Sequence, residues 1–380
     1  MTPLKKIFEE FFQAADIQID GQRPWDIRVS NPKFYRRFLT CGTLGLGEAY
    51  MENWWDCESL DQMMYRVAKS RIFTKLRKHP RFVVSKLWAG VFNLGSRRNA
   101  KIGVRTHYDI GNDLFRIMLD PRMTYTCGYW NGVDHLDEAQ TNKLELICRK
   151  LELKPGLKVL DIGCGWGSFA KYAAERYGVE VLGITISDEQ INLARELCRG
   201  LPVQIENRDY RDVTGRFDRI LSVGMFEHVC LQNHRTYMET VHRHLTEDGI
   251  SLLHTIGRDN SLKTGNDKFI KKYVFPNTLV PSVAQIGNAI DSLLVMEDWE
   301  NLSTDYAKTL RAWFYNFERG WGEIESAYGA QFYRMWKYYL LMHAGFYQAR
   351  RLQLWQIVLT KNGLPGGYAW QKQRRMSHVG

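Results

Sequence analysis

Nowhere does the chain hold a run of apolar residues approaching the roughly 20 that a helix needs to cross a bilayer, so no helical membrane span is expected. It also has no cysteine framework. The seven cysteines are scattered and odd in number, which points to reduced thiols and a cytosolic protein rather than a disulfide scaffold. No Cys/His spacing matches a zinc site, so no metal is expected. The stretch 1–17 carries acids among its apolar residues and lacks a continuous apolar core, so no signal peptide is expected. Internal repeats and low-complexity tracts are absent as well. The most informative absence is of acid: between Gln62 and Tyr108 there is no Asp or Glu, while basic residues recur from Arg66 to Arg105, among them Arg77, Lys78 and Arg81. Phe73, Phe82, Trp88 and Phe92 lie between them. Bases mixed with large apolar residues suit a surface that lies against an acidic membrane. A solvated basic face beside a core helix is the other reading of the same residues.

What is present is an ordinary globular composition, 44% hydrophobic and 25% charged over 380 residues, with a net charge of +10 that calls for an anionic partner. One stretch organises the rest: VLDIGCGWGSFA from Val159 to Ala170. A short apolar run ends in an acid, glycines follow at every second position, and a helical pattern begins. This predicts a buried strand, a tight turn that brings backbone close to a ligand, and a helix start. The spacing is Gly-x-Gly-x-Gly, not the Gly-x-Gly-x-x-Gly of NAD enzymes. With the acid before it, it resembles the first motif of class I methyltransferases that use S-adenosylmethionine.

Strands and helices then alternate, as in a doubly wound α/β sheet. Strands are expected at Lys158–Ile162, Val179–Ile186, Val203–Glu206, Asp218–Val223 and Ile250–Thr255, and helices near Ser168–Tyr177, Ser187–Cys198 and His234–Leu245. Beyond Thr255 the alternation stops. Phe269–Tyr338 reads as mostly helical, interrupted at Leu294–Trp299, and Leu352–Thr360 as a closing strand of alternating pattern. Ahead of the sheet, helices are expected at Leu4–Ala15, from Asn31-Pro32 with Pro at the first helical position, through Met63–Ala68 and Arg81–Phe92, and at Glu138–Leu151. The expected boundary falls in the small, basic linker Asn93–Gly103. It separates a mostly helical N-terminal domain (1–95), suited to membrane or subunit contact, from a catalytic domain (96–380) with a helical insertion at about 260–350.

Ligands of open α/β sheets bind outside the carboxyl ends of the strands. That rule selects Gly163, Gly165 and Gly167 after the first strand and Thr185, Ser187 and Gln190 after the second. It selects Arg208, Asp209 and Tyr210 after the third, Met225–His228 after the fourth, and His254, Thr255 and Ile256 at the fifth. The place where class I methyltransferases usually hold the ribose with an acid reads Thr185-Ile186-Ser187, so Thr185 and Gln190 are left to serve.

Several further pieces make the resemblance specific: HYDIGNDLF at His107, YTCGYW at Tyr125, GITISDEQ at Gly183, RDYRD at Arg208, GMFEHV at Gly224, LLHTIG at Leu252 and DYAKTL at Asp305. With VLDIGCGWG they resemble the cyclopropane-fatty-acyl-phospholipid synthase family, related to the mycolic acid cyclopropane synthases, over roughly residues 100–360. GLGEAYM at Gly45 resembles the longer, phospholipid-modifying members. The resemblance implies a Rossmann-like class I methyltransferase sheet and transfer of a methylene unit from S-adenosylmethionine to a cis double bond of a phospholipid acyl chain. Attack on the sulfonium methyl leaves a carbocation, and a weak, well-placed base suffices to take its proton as the ring closes.

By the same resemblance that base is a bicarbonate ion held by Cys127, Glu227, His254, Tyr306 and the backbone of Ile256. S-adenosylmethionine contacts Tyr125, Thr126, Gly163, Gly165, Thr185, Ile186, Ser187, Gln190, Arg208 and Asp209, and Tyr129, Trp130, Phe226 and Trp313 are candidates for the acyl channel. His343 stands where some relatives carry a cysteine, and no role passes to it. His107 is open between capping a helix and bonding near the cofactor. The implied setting is a cytoplasmic enzyme, a homodimer, bound peripherally to the inner face of an anionic phospholipid bilayer. The nearest alternative keeps the first step and ends in a methyl- or methylene-branched chain. A nucleic acid methyltransferase is disfavoured, because Phe226-Glu227-His228 stands where a base-modifying loop would be. A non-catalytic lipid-binding protein is disfavoured by the intact rim of polar residues.

Overall fold

The computed structural model describes residues 3–71, 111–261, 267–276 and 278–370. By contact the chain forms two units. The first comprises Met1–Met118, Thr264–Asn277 and Tyr306–Leu352, and the second Leu119–Lys263, Thr278–Asp305 and Gln353–Gly380. The expected 95/96 boundary, the helix at Arg81–Phe92, His107, and the basic window beyond Arg71 lie outside the described residues. Three bases of that window are described: Arg66 lies over the Trp25 ring at 3.7 Å, Lys69 over Tyr65 at 5.5 Å, and Arg71 closes a helix in a left-handed conformation.

The first unit is mostly helical. Helix Pro3–Gln13 is amphipathic, and Phe8 packs its ring edge-on against Tyr35 and Phe38 of helix Lys33–Cys41, with centroids at 5.2 and 4.9 Å. Pro32 sits at the N-cap of that second helix rather than at its first helical position. Strands β1 (Arg28–Val29) and β2 (Trp55–Asp56) pair antiparallel.

The glycine-rich stretch after Gly42 folds as helix Thr43–Met51, an element that helix propensity hides. Its glycines serve close packing: a Cβ at Gly47 would enter the Phe269 ring, and one at Gly45 the carbonyl of Arg37. Glu48 on the same helix binds Arg37 at 2.9 Å and Lys272 at 2.6 Å, tying the short helix Lys268–Tyr273 to this unit.

The long helix Ser303–Gln348 breaks at Gly329, whose backbone (φ 75°, ψ 164°) is open in practice only to glycine. The two arms fold back antiparallel, with Phe317 stacked on Tyr333 at 5.5 Å and Tyr306 tilted against Tyr347 at 4.5 Å.

The second unit holds a seven-stranded sheet. Its strands are β3 (Lys158–Ile162), β4 (Glu180–Thr185), β5 (Val203–Asn207), β6 (Phe217–Val223), β7 (Leu245–Arg258), β8 (Val295–Asn301) and β9 (Leu352–Thr360), in the order β5-β4-β3-β6-β7-β9-β8. The first five of these positions are parallel, and β8 runs antiparallel to β9. The interruption expected at Leu294–Trp299 is the edge strand β8.

Successive residues of one strand enter opposite cores: Leu160, Ile220, Leu253 and Ile357 on one face, Val159, Leu221, Leu252 and Val358 on the other. Both faces are therefore covered, as parallel strands require. The alternating pattern of Leu352–Thr360 is thus not a half-exposed strand. Leu354 to Thr360 are all buried, because β9 lies between β7 and β8. Two polar side chains, Gln356 and Thr360, are buried with it.

Gly345 marks a close helix crossing inside the first unit, where an added Cβ would lie 2.5 Å from the Asp61 carbonyl oxygen and 2.6 Å from the Tyr65 nitrogen. Alanine normally gains about 1 kcal/mol over glycine in a helix. Here backbone is the obstacle, so Gly345→Ala is expected to lower stability by about 1–3 kcal/mol instead. Urea unfolding measures the sign directly, and a stabilised variant would contradict the crossing.

Candidate active site at the carboxyl ends of the parallel strands

The turn after β3 has the backbone its glycines call for: φ is +82° at Gly163, +56° at Gly165 and +80° at Gly167. A Cβ at Gly163 would lie 2.6 Å from Met225 of the β6 loop, whereas Gly165 faces open space. The turn is thus packed on one side and open to a ligand on the other. Helix Ser168–Tyr177 starts directly behind it, and its free N–H groups favour negative charge.

At the end of β4 the Thr185 hydroxyl donates to Gln190 Oε1 at 3.0 Å, and the Ser187 N–H donates back to Thr185 Oγ1 at 3.3 Å. Ile186 between them is 75% exposed, an apolar side chain presented on the rim. The Arg208 N–H donates to the Thr185 carbonyl at 3.2 Å, and its guanidinium pairs with Glu206 at 2.7 Å. Asp209 caps a short 3-10 turn, accepting from the Arg211 N–H at 2.9 Å and from its guanidinium at 2.8 Å.

The loop carrying Tyr125, Thr126 and Cys127 is fastened on several sides. Thr124 bonds Ser168 at 2.8 Å, so the loop is tied to the glycine turn. Gln140 Nε2 donates to the Thr126 carbonyl at 2.7 Å and Lys143 Nζ to the Thr126 hydroxyl at 3.0 Å. The Thr126 methyl packs so closely on Gly224, after β6, that a Cβ there would lie at 2.9 Å. The Trp130 N–H donates to Asp305 at 3.0 Å. Cys127 is fully buried, its thiol facing the Gly128 carbonyl at 3.1 Å. Burial lowers the Lys143 ammonium to about 8 against the pull of Asp120, and raises the Asp161 carboxyl to about 7 with Lys143 opposing.

Glu227 and His254 follow β6 and lie on β7, 4% and 1% exposed. The Ile256 N–H, expected to face an anion, donates to Glu227 Oε1 at 2.6 Å. Glu227 Oε2 and His254 Nε2 have no hydrogen-bond partner among the described residues. Burial lifts the Glu227 carboxyl to about 7 while the Ile256 N–H holds it down. Burial also drives the His254 imidazole well below its ordinary pKa, and Lys143 and Lys150 push the same way, so the ring is neutral.

The second unit thus holds Cys127, Glu227, His254 and Ile256 as well as the cofactor-side residues, with Ile256 and Glu227 in direct contact. Tyr306 belongs to the first unit, buried against Tyr347 and Trp313 at 4.5 and 5.9 Å. Buried atoms of opposite hydrogen-bonding sense, one carboxylate oxygen and one imidazole nitrogen, fit a small oxyanion that carries a hydroxyl. The open glycine turn and the Thr185–Gln190 pair fit the cofactor.

Sequence reading passed over Gln140, Lys143 and Gln356. The first two lie on one helical stripe, Leu136, Gln140, Lys143 and Ile147, of helix Leu136–Lys150, so polar residues on an apolar stripe were the available signal.

A parallel sheet with a Gly-x-Gly-x-Gly turn after its first strand, and ligand groups gathered at the carboxyl rim, defines an S-adenosylmethionine-dependent methyltransferase. The family model for mycolic acid cyclopropane synthetase matches residues 96–357. The chain is 49% identical, over 364 residues and 94% of both chains, to the cyclopropane-fatty-acyl-phospholipid synthase of Escherichia coli K12. It is 36% identical to a probable fatty acid methyltransferase of Pseudomonas putida over 70% of each chain. Among solved structures it resembles the cyclopropane synthase MmaA2 of Mycobacterium tuberculosis, with TM-score 0.64, 28% identity, and 68% of this chain and 98% of that one covered. It likewise resembles the mycolic acid cyclopropane synthase CmaA1 complexed with SAH and CTAB, with TM-score 0.63, 30% identity, and 68% and 98% covered. The chain belongs to the cyclopropane-fatty-acyl-phospholipid synthase family and is an enzyme of the methyltransferase class.

The raised carboxyl of Glu227 has a thermodynamic consequence. A buried acid whose pKa rises from 4.5 to about 7 binds its proton more tightly folded than unfolded, so its contribution to stability is full below pH 4.5 and is lost as pH climbs towards 7. Glu227→Gln removes that slope. The variant is expected to gain on the wild type between pH 4.5 and 7, reaching on the order of 1–3 kcal/mol. Denaturant unfolding at several pH values reads the difference, and parallel curves would contradict the burial argument.

Proposed function

We propose that this protein transfers a methylene unit from S-adenosylmethionine to the cis double bond of an unsaturated phospholipid acyl chain and closes a cyclopropane ring, with a bicarbonate ion as the base. The observation that carries the reading is the pair of buried, unpaired atoms, Glu227 Oε2 and His254 Nε2, beyond the cofactor turn. Near-full-length identity to a curated synthase of this kind supports it. When bound, S-adenosylmethionine supplies an electrophilic methyl group, and bicarbonate a base for the proton that ring closure releases.

The chain's own residues bind, orient and exclude water. The backbone of Gly163 and Gly165 admits the cofactor, and the side chains of Tyr125, Thr126, Thr185, Ser187 and Gln190, with Ile186, Arg208 and Asp209, border it. Glu227 is held at Oε1 by the Ile256 N–H, so its free oxygen is aimed to accept a hydroxyl. His254, neutral, offers a donor without bringing a second charge. The Cys127 thiol and the Tyr306 hydroxyl are proposed as the ion's further ligands. Burial of Cys127, Glu227 and His254 keeps water from the cationic carbon, which water would otherwise trap as an alcohol.

The decisive assay is incubation with S-adenosylmethionine and vesicles of a cis-monounsaturated anionic phospholipid, followed by mass analysis of the released acids. A ring product one methylene heavier is expected, with turnover falling when bicarbonate is stripped and returning when it is added back. A methyl-branched or methylene product would replace the final step, and turnover indifferent to bicarbonate would remove the ion.

The basic stretch of the first unit is proposed to dock this enzyme peripherally on the cytoplasmic face of an anionic bilayer, a contact that a homodimer would strengthen through avidity. Reversing Arg77, Lys78 and Arg81 to Glu is expected to weaken binding to anionic vesicles by about a hundredfold or more, at about 1 kcal/mol per charge near the surface, with cofactor affinity unchanged. Equal sedimentation would move the docking surface elsewhere.

A further inference from the structure

We infer that Gln356 is a positioning residue that sets the tautomer of His254, so that the imidazole presents a protonated Nε2 to the anion; this rests on the anion reading above. Gln356 lies on β9, next to β7 in the sheet, and is fully buried. Its Nε2 stands 3.2 Å from His254 Nδ1, which is the ring's one hydrogen bond among the described residues. An amide NH₂ has protons and no lone pair to offer, so this contact requires a bare Nδ1. A neutral imidazole has a single proton, and it is thereby placed on Nε2, the atom with no hydrogen-bond partner among the described residues.

The reversed amide gives the opposite result. With Oε1 towards Nδ1, the ring proton would be taken there, and a bare Nε2 lone pair would face the oxyanion. Only the first arrangement makes His254 a donor to an anion. Burial, together with Lys143 and Lys150, keeps the ring from gaining a second proton that would make the choice immaterial. Water does not compete for either group, since both are buried. Gln356 acts through His254, its one side-chain hydrogen-bond partner among the described residues being that ring, as partners behind a ligating imidazole generally do.

The test uses the full chain with its histidines labelled with ¹⁵N, and a His254→Asn variant to assign one signal among ten. At neutral pH the wild type is expected to show His254 protonated at Nε2 and bare at Nδ1. Gln356→Met, which keeps the shape and removes the donor, is expected to mix or invert the tautomers. In turnover the same variant should raise the bicarbonate KM by about tenfold, the equivalent of about 1.4 kcal/mol, with the KM for S-adenosylmethionine unchanged. A merely structural glutamine would shift both constants or neither. A wild-type ring protonated at Nδ1 overturns the inference, and that spectrum needs no variant to fold. If the tautomer is as stated but wild-type turnover ignores bicarbonate, the anion reading fails and the Gln356–His254 pairing stands.

Discussion

Two polar groups, a carboxylate in the turn after β6 and an imidazole on β7, are buried, and each keeps one atom without a hydrogen-bond partner among the described residues. Leaving such an atom unsatisfied in the interior costs about 1–3 kcal/mol, and more for a charge. A fold tolerates that only where the surroundings hold the groups in place. Here Ile256 holds Glu227 and Gln356 holds His254, so both open positions are set by backbone and by a second buried side chain rather than by solvent. The remaining features of the second unit serve this arrangement. The sheet is covered on both faces by apolar clusters, which leaves the strand ends as the place where polar chemistry gathers.

The second constraint is the fastening of the Tyr125–Cys127 loop. It has no regular structure of its own, yet it is tied to Ser168 behind the glycine turn, to Gln140 and Lys143 on a buried helix stripe, and against Gly224 after β6. Buried polar side chains thereby fix the position of a loop proposed to border the cofactor. Burial shifts Lys143 and Asp161 each towards the neutral form, and their mutual attraction opposes that shift. A sheet shared by many methyltransferases becomes a particular active site through such supports, because a site on a loop is only as precise as the contacts behind it.

Much of the second unit was legible in the chain. The strand Lys158–Ile162 and the helix Ser168–Tyr177 coincide with their predicted limits, because an apolar run, glycines at alternate positions and a helical period are local signals. The carboxyl-rim rule then selected Glu227 and His254 before any coordinates. Less was legible in the first unit. Helix Thr43–Met51 hides behind its glycines, which are explained only by Phe269 and Arg37 lying against them. Strand β8 looked like a break between helices, since its neighbour β9 is fifty residues away in sequence.

What the sequence by itself determined was the class of sheet, the cofactor turn and the identity of the groups on the rim, all carried by residues close together in the chain. What only the tertiary structure decided was which of those groups hold one another. The Ile256 N–H belongs to Glu227, Asp209 to Arg211, and Gln356, in the middle of an apolar strand, to His254. Gln356 and His254 are brought together by pairing between strands far apart in the chain, and no local pattern records which buried glutamine will face which imidazole.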